Sequence, residues 1–60
     1  MKTKNKPTQL DYEHVELILK EANSHGLKWE VEEFAAKIIS KNPEINLVEA
    51  YQMAYEEWVK

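Results

Sequence analysis

Apolar side chains recur at three- and four-residue spacing in three stretches of this 60-residue chain. That spacing places them on one face of a helix, so each stretch predicts an amphipathic helix. The three apolar stripes are Tyr12, Val15, Ile18, Leu19 and Ala22; Val31, Phe34, Ala35, Ile38 and Ile39; and Leu47, Ala50, Tyr51, Ala54 and Trp58. They predict helices at about 9–25, 29–41 and 46–59. Three such helices with short connections indicate an all-α fold, a small three-helix bundle.

Residues that start and stop helices stand at the ends of these stripes. Thr8 with Asp11 three positions later is a variant of the capping box, and Asn46 is a good N-cap for the third helix. Gly26 suits the left-handed position after the first helix, whereas Pro43 disfavours helical geometry at the residue before it. The second helix has no good cap.

The larger side chains of the second and third helices should form the core. We expect Phe34, Ile38, Ala54 and Trp58 to be nearly buried. Trp29 precedes the second stripe and points away from it, so we expect it to pack on the bundle from the turn.

Charge is distributed unevenly along the chain. Lys2, Lys4 and Lys6 make residues 1–7 a flexible basic tail, and residues 8–60 form the single three-helix domain. The formal net charge is -3, but without those lysines five basic residues face eleven acidic ones, a balance of -6. An acidic folded part disfavours nucleic acid as its partner.

The composition sets limits on compartment and stability. The chain has no cysteine, which excludes disulfides and fits a reducing, cytoplasmic location. Its apolar runs are far shorter than the ~20 residues needed to span a bilayer, so we expect no membrane association. A domain of this size buries only about 60% of the surface that its unfolded chain exposes, so a partner would help to stabilise it.

The chemistry needed for catalysis is sparse. His14 follows Asp11 by one turn and His25 follows Glu21 by one turn, but such pairs are usual on helix surfaces and ends. The two histidines lie too far apart on one helix to share a metal ion. We therefore expect no enzyme activity, no catalytic residue, no cofactor and no metal site.

The second and third helices could also be drawn as a helix-turn-helix, with residues 47–59 as the recognition helix. That helix carries three glutamates and no basic residue before Lys60, whereas groove readers need cations. A nucleic-acid-associated accessory factor that uses the basic tail is the alternative interpretation.

The run from Asn42 to Leu47, together with the segments 49–51 and 54–58, resembles the ending of small uncharacterised helical proteins of Gram-positive bacteria and their phages. The resemblance covers roughly the last third of the chain. It implies a cytoplasmic accessory protein and brings no catalytic residue with it.

Two leucines break the pattern of the first helix and point to function. Leu10 and Leu17 lie about 140 to 160° from its apolar stripe, with His14 beside them. The competing explanation is that the residues before Pro7 fold over them, although this lysine-rich tail has little apolar surface to offer. Val48, Tyr55 and Val59 lie on the flank of the third helix, where they could belong to the core or to an interface. These six residues are our candidate protein interface. They predict a non-enzymatic protein that acts by protein–protein interaction, including self-association, as an accessory or regulatory factor.

Overall fold

The computed structural model describes residues 8–59, which form three α-helices. The helices are α1 (Gln9–Ser24), α2 (Lys28–Lys41) and α3 (Leu47–Trp58). This confirms the predicted all-α three-helix fold, and each helix begins and ends within one residue of its predicted bound. The predicted basic tail, residues 1–7, lies outside the described residues.

The N-terminal caps of α1 and α3 are side-chain hydrogen bonds that the sequence predicts. The Thr8 hydroxyl accepts from the Asp11 amide at 3.2 Å, and the Asp11 carboxylate accepts from the Thr8 amide at 3.1 Å. The Asn46 side chain accepts from the amides of Val48 at 2.9 Å and Glu49 at 3.3 Å. These bonds satisfy first-turn amides that have no partner within the helix and so fix where each helix begins.

The turn between α1 and α2 is a Schellman ending. Gly26 adopts a left-handed φ of 72°, and its amide donates to the Asn23 carbonyl at 2.9 Å. The Leu27 amide donates to the Ala22 carbonyl, also at 2.9 Å. This pair of bonds reverses the chain within two residues. The next helix, α2, begins without a side-chain cap, as predicted.

The centre of the bundle is built from small side chains. Among residues 8–59, five have no exposed surface: Ala22, Val31, Ala35, Ala50 and Ala54. Val15 and Ile18 of α1 are also buried. α3 packs against both other helices, more extensively against α2 than against α1. Alanine side chains at such contacts favour close approach of the helix backbones. The larger side chains surround this alanine centre and are partly buried against it: Leu19, Phe34, Ile38, Tyr51 and Tyr55.

The prediction for the tryptophans is wrong, and that for Phe34 and Ile38 is only partly met. Trp58 is 46% exposed because it is the last residue of α3, where the bundle ends. Trp29 lies inside α2, not in the turn before it, and is 76% exposed on the side away from Val31. Phe34 and Ile38 are half-buried, whereas Ala54 is fully buried as expected.

Candidate protein-interaction surfaces

The outer face of α1 carries two exposed leucines. Leu10 is 74% exposed and Leu17 is 63% exposed, while Val15 and Ile18 on the inner side are buried. The leucines are seven positions apart in the sequence, so they lie two turns and about 10 Å apart on the same side of the helix. The predicted misfit is therefore present in the fold: the bundle leaves both side chains in water.

Beside Leu17 lies a groove between α1 and α3, which we call the α1–α3 groove. It has a volume of about 230 Å³ and is lined by His14, Leu17, Ile18, Glu21, Gln52 and Tyr55. Buried Ile18 joins this lining to the core, and Tyr55 packs against the alanine centre. The exposed leucine thus has a half-buried aromatic side chain beside it on the neighbouring helix.

The structure brings together three of the six predicted interface residues. His14, Leu17 and Tyr55 line the α1–α3 groove, although they come from two helices. Leu10 lies on the same face of α1 beyond the groove. Val48 and Val59 are half-buried at opposite ends of α3 and do not line it. The valine at position 48 belongs to the helix start, where its amide donates to the Asn46 cap.

A larger groove, which the sequence reasoning did not identify, runs along α2 beside the end of α3. This α2–α3 groove has a volume of about 510 Å³. Its lining consists of Glu30, Glu33, Phe34, Lys37, Ile38, Lys41 and Trp58. The six α2 residues repeat at three- and four-residue spacing and so share one face of that helix. The signal in the sequence was that Glu30, Glu33, Lys37 and Lys41 fall on the same helix face as Phe34 and Ile38.

Charge in the α2–α3 groove is ordered from end to end. Glu30 and Glu33 lie at the N-terminal end, Lys37 and Lys41 lie at the C-terminal end, and the centres of the two pairs are about 11 Å apart along the axis. The apolar part of the lining is Phe34, Ile38 and the exposed indole of Trp58. The groove therefore offers an apolar strip with opposite charges at its two ends.

Burial changes the acidity of one tyrosine in the bundle. Tyr51 is half-buried and packs against the alanine centre. Burial raises the pKa of its phenol above the ordinary value of about 10, and the negative charge of Glu32 raises that pKa further. Both effects favour the neutral phenol, so Tyr51 acts as an uncharged packing residue at physiological pH.

Residues 8–59 contain no group of three or more histidine, aspartate or glutamate side chains placed to hold a metal ion. Both histidines are exposed on or beside α1. Over the same residues, no helix has the length and apolar character to cross a bilayer.

Comparison with known proteins found no matching family model, curated protein or solved structure. The resemblance of residues 42–58 to small helical proteins of Gram-positive bacteria and their phages stays a prediction.

Proposed function

We propose that this chain is a cytoplasmic, non-enzymatic protein that acts through protein–protein interaction as an accessory or regulatory factor. The observation that carries the proposal is the exposure of Leu17 in the α1–α3 groove, next to Tyr55 of α3. A partner that covers both the exposed leucine and the aromatic ring removes apolar surface from water, which favours binding. Tyrosine is also enriched at protein interfaces.

The binding surface consists of the α1–α3 groove together with Leu10. Its two leucines span about 10 Å, which matches two turns of an amphipathic helix laid against α1. Glu13 lies on the same side of α1 between Leu10 and Leu17, and Glu21 lines the groove. We therefore propose that the partner presents an apolar helix face flanked by lysine or arginine.

The partner can be captured with a photo-cross-linking amino acid at position 17, used in the cells from which the chain comes. The matched control carries the cross-linker at Ala36, which is exposed on α2 outside both grooves. We expect a protein cross-linked from position 17 and not from position 36. Equal cross-linking from the two positions would contradict a specific α1 surface.

The captured partner then allows a binding test with Leu17→Lys. This variant should stay folded, because Leu17 is exposed, and should lose partner binding, while Leu17→Met should keep both. Loss of the circular dichroism spectrum in Leu17→Lys would show that the residue is part of the core. A folded variant with unchanged affinity would overturn the proposed surface.

The alternative interpretation, a nucleic-acid accessory factor, depends on Lys2, Lys4 and Lys6, which lie outside the described residues. It predicts DNA binding that weakens steeply with salt and disappears when residues 1–6 are deleted. Our proposal predicts that this deletion leaves partner binding unchanged.

A further inference from the structure

We infer that the α2–α3 groove binds a second copy of this chain, with the two α2 helices antiparallel about a two-fold axis. The inference rests on the proposed function only in that both concern protein–protein interaction. It deepens that function by naming one protein that the chain binds, a second copy of itself. The α2–α3 groove shares no residue with the α1–α3 groove. The two surfaces can therefore be tested independently.

The order of charges along α2 makes this face complementary to itself. A two-fold axis that crosses the groove midway along α2, at the level of residues 35 and 36, places Glu30 of one copy opposite Lys41 of the other. The same operation brings Glu33 near Lys37 of the second copy. Every such contact occurs twice, because a two-fold interface uses the same patch on both subunits. The acidic end of each groove thus meets the basic end of the other.

The reverse orientation is disfavoured by the same charges. In a parallel pair, Glu30 and Glu33 would face the same two glutamates of the second chain. Lys37 and Lys41 would likewise face the same two lysines. Like charges placed opposite each other across an interface suppress the wrong arrangement. The charge pattern therefore selects the antiparallel pair.

The apolar strip provides the attraction between the two copies. Phe34 and Ile38 are half-buried and Trp58 is 46% exposed, so the apolar side chains of this groove are only partly covered within one copy. Near the two-fold axis, Phe34 of one copy meets Ile38 of the other. Trp58, at the edge of the groove, can then cover the neighbouring α2. Buried aromatic anchors of this kind dominate the binding energy of many interfaces.

The expected complex is small and reversible. An α2 of 14 residues is about 21 Å long, which limits the interface to the lower end of the size range of specific protein complexes. We expect a dissociation constant on the order of micromolar, so the dimer should form and dissociate within an accessible concentration series.

A charge exchange tests both the groove and the orientation. Lys37→Glu/Lys41→Glu makes both ends of the groove acidic, and Glu30→Lys/Glu33→Lys makes both ends basic. Each double variant alone should dimerise at least about tenfold more weakly than the unmodified chain, because like charges now meet at both ends. An equimolar mixture of the two should form a heterodimer of near-original affinity. Sedimentation equilibrium, with circular dichroism to check folding, measures each case.

A control with the same change in net charge separates this effect from general repulsion. Lys20→Glu/Lys28→Glu lies outside the α2–α3 groove and should leave the dimer unchanged. Trp58→Ala should weaken the dimer more than Trp29→Ala, which removes the more exposed tryptophan from outside the groove.

Several results would overturn the inference. One is that the chain stays monomeric at every concentration tested. Another is that the mixture of the two charge variants does not associate, and a third is that deleting residues 1–7 abolishes the dimer. Dimer loss in Leu17→Lys would also overturn it, because that residue belongs to the other groove. Failure of the proposed function looks different: the dimer would respond to the charge exchange as expected, while Leu17→Lys would leave partner binding unchanged.

Discussion

Phe34 and Trp58 line the same groove although they belong to different helices, and neither is fully buried. Phe34 lies near the middle of α2 and packs against the alanine centre, whereas Trp58 closes α3 at the end of the bundle. Two aromatic residues that look alike in the apolar pattern thus differ in how much of their surface folding removes from water.

This difference predicts unequal costs of truncation in the monomer. Phe34→Ala should lower the free energy of unfolding by about 3 kcal/mol, since it leaves a gap against the core. Trp58→Ala should cost only about 1–2 kcal/mol, because nearly half of its surface is already in water. Urea unfolding at a protein concentration below the dimer range measures both. Equal losses would mean that Trp58 is packed as tightly as Phe34.

Enlarging a central alanine should destabilise the fold more than enlarging an exposed one. Ala54 is fully buried where α3 meets its neighbours, so Ala54→Leu forces helices apart and should destabilise the fold by about 1–3 kcal/mol. Ala36→Leu adds the same side chain at an exposed position of α2 and should be nearly neutral. Thermal unfolding of the two variants compares them directly. A stable Ala54→Leu variant would show room at the centre that the structure does not have.

The cap of α3 should be worth about 1 kcal/mol. Asn46→Ala leaves the amides of Val48 and Glu49 without their side-chain acceptor, so the unfolding temperature should fall. Asn46→Asp keeps an acceptor and should retain most of the stability. If the alanine and aspartate variants unfold at the same temperature, these bonds do not stabilise the helix.

The cost of replacing Gly26 in the turn after α1 should come from its left-handed backbone conformation and not from steric crowding. A Cβ at Gly26 would meet no atom within 4 Å, but the φ of 72° is costly for an L-residue. Gly26→Ala should therefore lose about 1 kcal/mol. D-alanine at the same position, introduced by chemical synthesis, should be neutral or stabilising, because a D-residue favours positive φ. Equal losses for the two enantiomers would point to a steric cause.

Tyr51 should make the fold less stable at high pH. Its pKa is raised in the folded state, so the folded chain holds the phenol proton more tightly than the unfolded chain does. The resulting stabilisation is complete below the unfolded pKa of about 10 and is lost as the pH rises through the folded pKa. Tyr51→Phe should reduce this alkaline loss of stability, measured by urea unfolding at several pH values. Glu32→Gln should reduce it by a smaller amount, since burial is the larger cause.

Helix positions were predictable because they depend on neighbours in the sequence. The signals that set the helix bounds act on groups only a few residues away. They are the Thr8–Asp11 capping box, Gly26 and Asn46, and in the structure each lies at the helix end that it was predicted to mark. Inward-facing Val15 and Ile18 follow from helical spacing in the same way, as does the exposure of Leu17.

Burial of the aromatic residues was not predictable from the same pattern. Spacing shows which way Trp58 points, but its burial depends on whether another helix extends far enough to cover the end of α3. The α2–α3 groove was not predictable either, because it depends on how α2 and α3 lie relative to each other. Spacing alone could not show that Leu17 would lie beside Tyr55, which requires the relative position of two helices.

The alanine centre also has a calorimetric consequence. The heat capacity change of unfolding comes mainly from newly hydrated apolar surface, at about 12–15 cal/mol/K per residue in typical domains. Within the part of the chain that the structure describes, the side chains with no exposed surface are four alanines and one valine. Most of the large side chains around them are already partly hydrated. The monomer should therefore have a heat capacity change below that range and a flatter dependence of stability on temperature. Pairing through the α2 face would add apolar burial, so the measured value should rise with protein concentration.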